Sequence, residues 1–201
     1  MQNPRNNRVI DFAANSATLV SPPLWMTLDE CRMQAPVTLL PWLAEPGLLT
    51  ARVRSEAGAA SRFRLLRLAL APIAADVQVR LQVTDRTGLS REIEFSCGDV
   101  RWIYAQSVFP DSTVRAYPWL AELGGSVLGE ALARVGEVVR EPLEYLALPR
   151  GHVLDVAARA RVGGEVIADT RRCWARRAGY RLGQHRILVT EVFLPALEDR
   201  G

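Results

Sequence analysis

The sequence has no lysine, only two histidines and only three cysteines among 201 residues. All 25 basic residues are therefore arginines, and they are scattered along the chain. Scattered arginines do not form the basic stripe that binds nucleic acid, and we expect no nucleic-acid partner. The formal net charge of +3 still favours attraction of a small anionic substrate.

The sequence also lacks the residue spacings that are typical of metal sites and of catalytic nucleophiles. Cys31, Cys97 and Cys173 are far apart and odd in number, which favours reduced structural thiols over a zinc site or a disulfide framework. His152 and His185 have no partner residue at metal or triad spacing. No nucleophile-elbow, dinucleotide-binding or P-loop pattern occurs. The sequence therefore does not support serine-hydrolase or phosphate-loop chemistry.

No apolar run is long enough for a signal peptide or a bilayer span, which predicts a soluble, cytoplasmic protein with no stable membrane insertion. Residues 1–23 are polar and small, show no period and end in Ser21-Pro22-Pro23, so we predict a mobile N-terminal extension. The hydrophobic content of 49% is sufficient for one core, and we predict a single domain over residues 24–201.

The clearest secondary-structure pattern predicts a β-hairpin. Apolar and polar side chains alternate over residues 77–83, turn residues follow at 85–88, and a second alternating run occupies 89–97. We expect these two runs to pair with each other.

The other predicted elements complete an α+β fold, an antiparallel sheet with helices packed on it. Helices are expected at 38–43, 117–120 and 126–135, and residues 48–53 are expected to enter the sheet. Further strands are expected at 63–70, 102–109, 138–146, 172–182 and 187–194.

Glu191 is the most informative single residue, because it is a carboxylate inside the apolar run 187–194. Side chains of a strand alternate between faces, so Glu191 shares the face of Val189 and Phe193, which is expected to meet a core or a closed pocket. Burying an unpaired carboxylate is costly. We therefore expect Glu191 to be paired, to be protonated or to lie at a strand edge.

Two further features are suited to binding an anion. Arg91 falls on the apolar face of the run 89–97, where a guanidinium requires a negative partner. Ser126 is a good N-cap for a helix whose first N–H groups, including that of Leu128, attract a carboxylate or phosphate. These features and Glu191 either converge on one small anion, or Arg91 and Glu191 form an internal ion pair, or one of them lies at a surface edge.

Several blocks of the sequence resemble the bacterial chorismate pyruvate-lyases, which make 4-hydroxybenzoate at the start of ubiquinone synthesis. The resemblance extends from about Leu39 to Pro195. Its most specific part runs without a gap from Trp174-Ala175-Arg176-Arg177 into the strand of Glu191. The blocks that carry it are Leu49-Thr50, Arg91-Glu92-Ile93, 102–110, Leu128-Gly129, 174–177 and 190–195.

The resemblance implies a monomeric α+β domain whose buried site, closed by flaps, eliminates pyruvate from chorismate without a metal or an organic cofactor. It also implies that Arg91 binds the ring carboxylate, assisted by the backbone N–H groups of Leu49 and Leu128. Glu191 would hydrogen-bond the ring hydroxyl at the opposite end. Arg91 and Glu191 are thus the expected catalytic pair, and chorismate and its aromatic product are the expected ligands.

The chain departs from compact members of that family in several places. Its N-terminal extension, residues 56–61 and the insert-like residues 150–170 are longer, which affects flap structure and product release more than chemistry. Leu49 stands where some members have Met, a change that leaves a backbone donor in place.

The alternative hypothesis is a non-catalytic aromatic-acid or effector-binding domain, because a related fold senses ligands in some bacterial transcription regulators. The first residues of the chain are too few and too polar for a winged-helix module. This composition argues against a complete regulator.

Overall fold

One antiparallel β-sheet forms the frame of the protein in a computed structural model that describes residues 24–162 and 169–200. The extension predicted at 1–23 lies outside the described residues. The strands are β1 (Ser61–Pro72), β2 (Thr87–Cys97), β3 (Val100–Pro110), β4 (Val138–Arg140), β5 (Glu144–Ala147), β6 (Trp174–Leu182) and β7 (His185–Phe193). Their order in the sheet is β1-β2-β3-β7-β6-β4, and β5 pairs with the opposite end of β6.

Helices cover both faces of this sheet, so the predicted α+β class is confirmed. The helices in the described residues are α1 (Leu28–Arg32), α2 (Leu40–Leu43), α3 (Leu49–Ala57), α4 (Ala75–Leu81), α5 (Asp111–Ala116), α6 (Trp119–Glu122), α7 (Leu128–Arg134) and α8 (Val153–Val162). Short 3-10 turns follow α3 and β7.

The first half of the predicted hairpin is wrong, because residues 75–81 form helix α4. Val77 and Leu81 lie one helical turn apart; Leu81 is fully buried, while Val79 is 77% exposed. The apolar residues therefore follow the helical period, which overrides their apparent alternation. The second half, β2, is a strand as predicted, but it pairs along its length with β1.

Two other element predictions also need correction. Residues 48–53 do not enter the sheet but begin α3, where Leu49, Val53 and Ala57 recur every four residues and are buried. The single strand predicted at 138–146 is two strands, β4 and β5, with Pro142 between them. Proline has no N–H to donate to a strand ladder, so it interrupts the pairing with β6.

Tyr104 on β3 belongs to the hydrophobic core and provides a test of its packing. Its side chain is fully buried, and its hydroxyl has no hydrogen-bond partner of normal geometry among the described residues. Burial, with a smaller contribution from the Glu92 carboxylate, raises the pKa of Tyr104. The hydroxyl therefore lies near the Glu92 carboxylate without a hydrogen bond of normal geometry to it.

We expect Tyr104→Phe to leave the free energy of unfolding unchanged or to raise it by about 1 kcal/mol, because a buried unsatisfied hydroxyl costs that much or more. Denaturant unfolding of wild type and variant at neutral pH measures the difference. A loss of stability on removal of the hydroxyl would contradict this account and would show that the hydroxyl bonds to Glu92.

Candidate functional site

A cavity between the sheet and helices α3 and α7 brings together the four residues predicted to bind ligand. Arg91 on β2, Glu191 on β7, Leu49 at the start of α3 and Leu128 at the start of α7 all line it. The cavity has a volume of about 70 Å³. The positions of the four residues agree with a common site, while their roles in binding stay predictions.

The register of the sheet explains why Arg91 and Glu191 face the same cavity from different ends. Arg91 pairs with Ser107 of β3, and Ser107 pairs with Val189 of β7. Glu191 is two residues beyond Val189 and so lies on the same face. Since β3 separates β2 from β7, the two strands are about 10 Å apart, and the two-residue offset along β7 separates the two charged residues further.

Arg91 is a fully buried cation with unused hydrogen-bonding capacity. Its Nε and Nη2 donate to the carbonyl of Gly124 at 3.2 and 3.1 Å, and Nη2 also donates to that of Ser126 at 2.5 Å. Its Nη1 is buried and has no partner in the described part of the chain. Burial lowers the pKa of Arg91 to about 10, so the guanidinium remains charged at neutral pH. Nη1 is therefore a charged donor that is available to an anion.

The alternative of an Arg91–Glu191 ion pair is wrong, because Glu191 pairs with Arg176. Arg176 lies directly opposite Glu191 on β6, and its Nε is 2.5 Å from Glu191 Oε2. Oε1 of Glu191 has no protein hydrogen-bond partner within residues 24–162 and 169–200. Of the three expected states of Glu191, the paired one is therefore observed, with one oxygen left for a ligand.

The Arg176 partner was missed from sequence, although hairpin geometry could have found it. Strands β6 and β7 flank a two-residue turn, and Leu182 pairs with His185 across it. Counting outward from this pair places Arg176 opposite Glu191. The apolar run around Glu191 singles out the carboxylate but not its partner. The pairing register of β6 and β7 identifies that partner as Arg176.

The start of α7 differs by one residue from the prediction. Val127, not Ser126, occupies the N-cap position, and no side chain caps the helix. The Ser126 carbonyl instead accepts from Arg91. The first helical N–H groups, beginning with Leu128, have no intrahelical partner and lie beside the cavity.

Gly129 allows the starts of α3 and α7 to approach each other. A Cβ at this position would come within 2.7 Å of Cδ2 of Leu48, the residue that precedes α3. Helix α3 also begins without a side-chain cap, which leaves the Leu49 N–H free of intrahelical bonding. Two uncapped helix starts and Arg91 therefore surround one end of the cavity.

The side-chain charges around the cavity favour an anion. Three arginines and one glutamate line it, which gives two net positive charges: Arg91, Arg140, Arg176 and Glu191. Arg140 is exposed and lies at the rim, where its Nη2 donates to the Pro46 carbonyl at 2.6 Å. Arg140, Arg176 and Tyr180 were not among the residues predicted from sequence.

A larger cavity of about 750 Å³ lies on the opposite face of the sheet, beneath α4 and α8. Its arginines are already paired: Nε of the buried Arg177 is 2.8 Å from Glu144, and Nη1 of the partly exposed Arg67 is 3.3 Å from Glu92. Among the described residues that line it, this cavity therefore has no unpaired buried cation like the one in the first cavity. We take the cavity of Arg91 and Glu191, which we call the Arg91 cavity, as the candidate site.

Neither thiols nor acidic clusters add a second kind of site in the residues described. Cys31, Cys97 and Cys173 are free thiols, as predicted. Burial raises the pKa of Cys31 to about 11 and that of Cys173 to about 12. Within residues 24–162 and 169–200, no three His, Cys, Asp or Glu side chains are grouped as metal ligands. No helix in the same residues is long and apolar enough to span a membrane.

Two solved structures of one protein share the architecture of this chain. The crystal structure of PhnF from Mycobacterium smegmatis matches 77% of this chain and 65% of its own, with a TM-score of 0.51 and 13% identity. The effector domain of the same protein matches 74% of this chain and 89% of its own, with a TM-score of 0.50 and 13% identity. At this identity the likeness shows a shared fold and nothing about function.

Sequence comparisons are more specific. A "Probable chorismate pyruvate-lyase" from Dechloromonas aromatica is 37% identical over 157 residues, which are 78% of this chain and 86% of that protein. A protein of the same name from Pseudomonas aeruginosa (strain UCBPP-PA14) is 32% identical over 180 residues, which are 89% of this chain and 94% of that protein. The family model described as chorismate lyase matches residues 19–200. The chain belongs to the chorismate lyase family.

Proposed function

We propose that this protein is a chorismate pyruvate-lyase that converts chorismate to 4-hydroxybenzoate and pyruvate. The observation that carries the proposal is the buried Arg91 guanidinium, whose Nη1 has no partner in the described chain and whose cavity also contains the Glu191 carboxylate. Two net positive charges line this cavity, and chorismate carries two carboxylates. The charge of the cavity therefore matches a small dianionic ring acid.

In this proposal Arg91 binds the ring carboxylate. Nη1 donates one charge-assisted hydrogen bond, which contributes roughly 1.5–3 kcal/mol. The N–H groups of Leu49 and Leu128 supply further donors from the two uncapped helix starts. Since Nε and Nη2 of Arg91 already bind the carbonyls of Gly124 and Ser126, the guanidinium is held in place before the ligand arrives.

Glu191 accepts a hydrogen bond from the ring hydroxyl at the other end of the cavity. Its Oε2 is bound by Arg176, so Oε1 is the acceptor available to the ligand. A ring with its carboxylate at Arg91 directs a hydroxyl at position 4 towards Glu191. A hydroxyl at position 3 points to the side, which is why we propose 4-hydroxybenzoate as the product.

Elimination of pyruvate requires little covalent chemistry from the protein. The ether C–O bond of chorismate breaks, the ring loses one hydrogen and becomes aromatic, and the side chain gains one hydrogen to become pyruvate. Aromatisation provides the driving force. The protein holds the diene and its side chain in a reactive geometry and stabilises the negative charge that develops on the departing ether oxygen. Orientation is thus the main role of Glu191.

The family resemblance also implies action as a monomer on a small molecule. The family resemblance extends the proposal to the first step of ubiquinone synthesis, for which 4-hydroxybenzoate is the ring precursor.

Incubation of the purified protein with chorismate, with pyruvate and hydroxybenzoate quantified together, tests the proposal. We expect both products at equal rates, with 4-hydroxybenzoate as the only ring product. Arg64→Ala is a suitable control, because Arg64 is an exposed arginine on the outer strand β1. Ligand binding without release of pyruvate would contradict the proposal and favour the effector-binding alternative.

A further inference from the structure

Arg176 makes contacts that the binding of Glu191 alone does not explain. Its side chain is 2% exposed and lines the Arg91 cavity. Besides the bond from Nε to Glu191, its Nη1 donates to the carbonyl oxygens of Trp42 and Leu43 at 3.1 Å each and to that of Glu45 at 2.9 Å. One buried guanidinium therefore joins strand β7 to a segment more than 130 residues away in sequence.

The segment that Arg176 holds leads directly into the cavity wall. Residues 42–48, which we call the α2–α3 segment, connect the end of α2 to the start of α3. The carbonyls of Trp42 and Leu43 are at the C-terminal end of α2, where helical hydrogen bonding ends and a cation is favoured. The segment continues through Gly47 and Leu48 to Leu49, and these three residues line the cavity.

Other contacts also hold the α2–α3 segment in place, but they do not reach the interior of the Arg91 cavity. Arg140 binds the Pro46 carbonyl from the exposed rim, and the Glu45 carboxylate accepts from the Gly47 N–H at 2.8 Å. Arg52 Nη1 is 3.2 Å from Glu45 Oε2. Arg176 is thus the contact, among those of the described residues, that links this segment to the Glu191 end of the cavity.

We infer that Arg176 is a positioning residue that couples occupancy at Glu191 to the order of the α2–α3 segment and hence to the Leu49 N–H group. This inference rests on the proposed function, because it takes a hydroxy acid as the ligand. A ligand hydroxyl on Oε1 of Glu191 fixes the carboxylate, the carboxylate fixes the Arg176 fork, and the fork holds the carbonyls of residues 42–45. Recognition of the hydroxyl at one end thereby stabilises the backbone donor at the other.

Arg176→Lys tests this coupling, since a single ammonium cannot reach both Glu191 and three carbonyls in a forked geometry. We expect amide hydrogen exchange in residues 42–50 to become about tenfold faster, and 4-hydroxybenzoate to bind about tenfold more weakly, as expected for loss of one charge-assisted hydrogen bond. Binding of benzoate, which lacks the hydroxyl, should fall much less. Arg177→Lys is the matched control, because Arg177 is a buried, paired arginine on the opposite face of β6.

The inference would be overturned if Arg176→Lys kept the hydrogen exchange of wild type and its preference for 4-hydroxybenzoate over benzoate. It would also be overturned if Arg177→Lys changed both quantities as much as Arg176→Lys does. If Arg176→Lys fails to fold, the coupling is tested on wild type instead. At saturation, 4-hydroxybenzoate should protect residues 42–50 from hydrogen exchange more than benzoate does. Equal protection by the two ligands would contradict coupling. Failure of the lyase proposal is seen separately, as absence of pyruvate release from chorismate by the wild type.

Discussion

Replacing Arg91 with alanine is expected to weaken 4-hydroxybenzoate binding by about 150-fold, which corresponds to ~3 kcal/mol. The reason is that Arg91 is a buried guanidinium with a free Nη1 and no carboxylate partner in the described chain. The variant loses the charge that the ligand carboxylate neutralises. Isothermal titration calorimetry at neutral pH, where the pKa of about 10 keeps Arg91 charged, measures the change.

The neutral ligand 4-hydroxybenzamide separates this effect from general damage to the fold. Wild type should bind the acid far more tightly than the amide, and Arg91→Ala should bind both with similar weak affinity. Arg64→Ala should retain the preference of wild type. Unchanged affinity of Arg91→Ala for 4-hydroxybenzoate would refute the carboxylate role of Arg91.

Replacing Glu191 with alanine is expected to lower the free energy of unfolding by about 3 kcal/mol, because it leaves the buried Arg176 charge without its carboxylate. The same change removes the acceptor for the ring hydroxyl, so the preference for 4-hydroxybenzoate over benzoate should disappear. Denaturant unfolding and calorimetry with the two acids measure these effects.

Glu191→Gln distinguishes orientation from obligatory proton transfer. The amide oxygen still accepts from Arg176 or from the ligand, so we expect turnover of chorismate to stay within about tenfold of wild type. Retention of most turnover would exclude an obligatory proton transfer by Glu191. A loss of several orders of magnitude, with 4-hydroxybenzoate binding preserved, would contradict the orientation role.

The sequence allowed the two ends of the cavity to be predicted because both are strand positions. Strand alternation depends on neighbouring residues alone, and it correctly placed Arg91 and Glu191 on faces that line a cavity. Whether the side chains of Arg91 and Glu191 touch depends on the order of the strands in the sheet. Local sequence patterns do not specify that order. The insertion of β3 between β2 and β7 decides the question in favour of separation.

The prediction from local patterns was wrong where the strand period and the helix period both fitted the same residues. Residues 75–81 satisfy both alternation and a four-residue helical repeat, and burial of Leu81 against exposure of Val79 favours the helix. Arg176 illustrates a different limit. Its pairing with Glu191 follows from the hairpin register, but its contacts with residues 42–45 arise only when distant parts of the chain pack together.

The central claim is that one small hydroxy acid lies between Arg91 and Glu191. A crystal structure of the protein with 4-hydroxybenzoate tests it most directly. The account predicts the ligand carboxylate within hydrogen-bonding distance of Arg91 Nη1 and of the N–H groups of Leu49 and Leu128, with the ring hydroxyl on Glu191 Oε1. A ligand bound in the reverse direction, or bound in the cavity on the opposite face of the sheet, would contradict it.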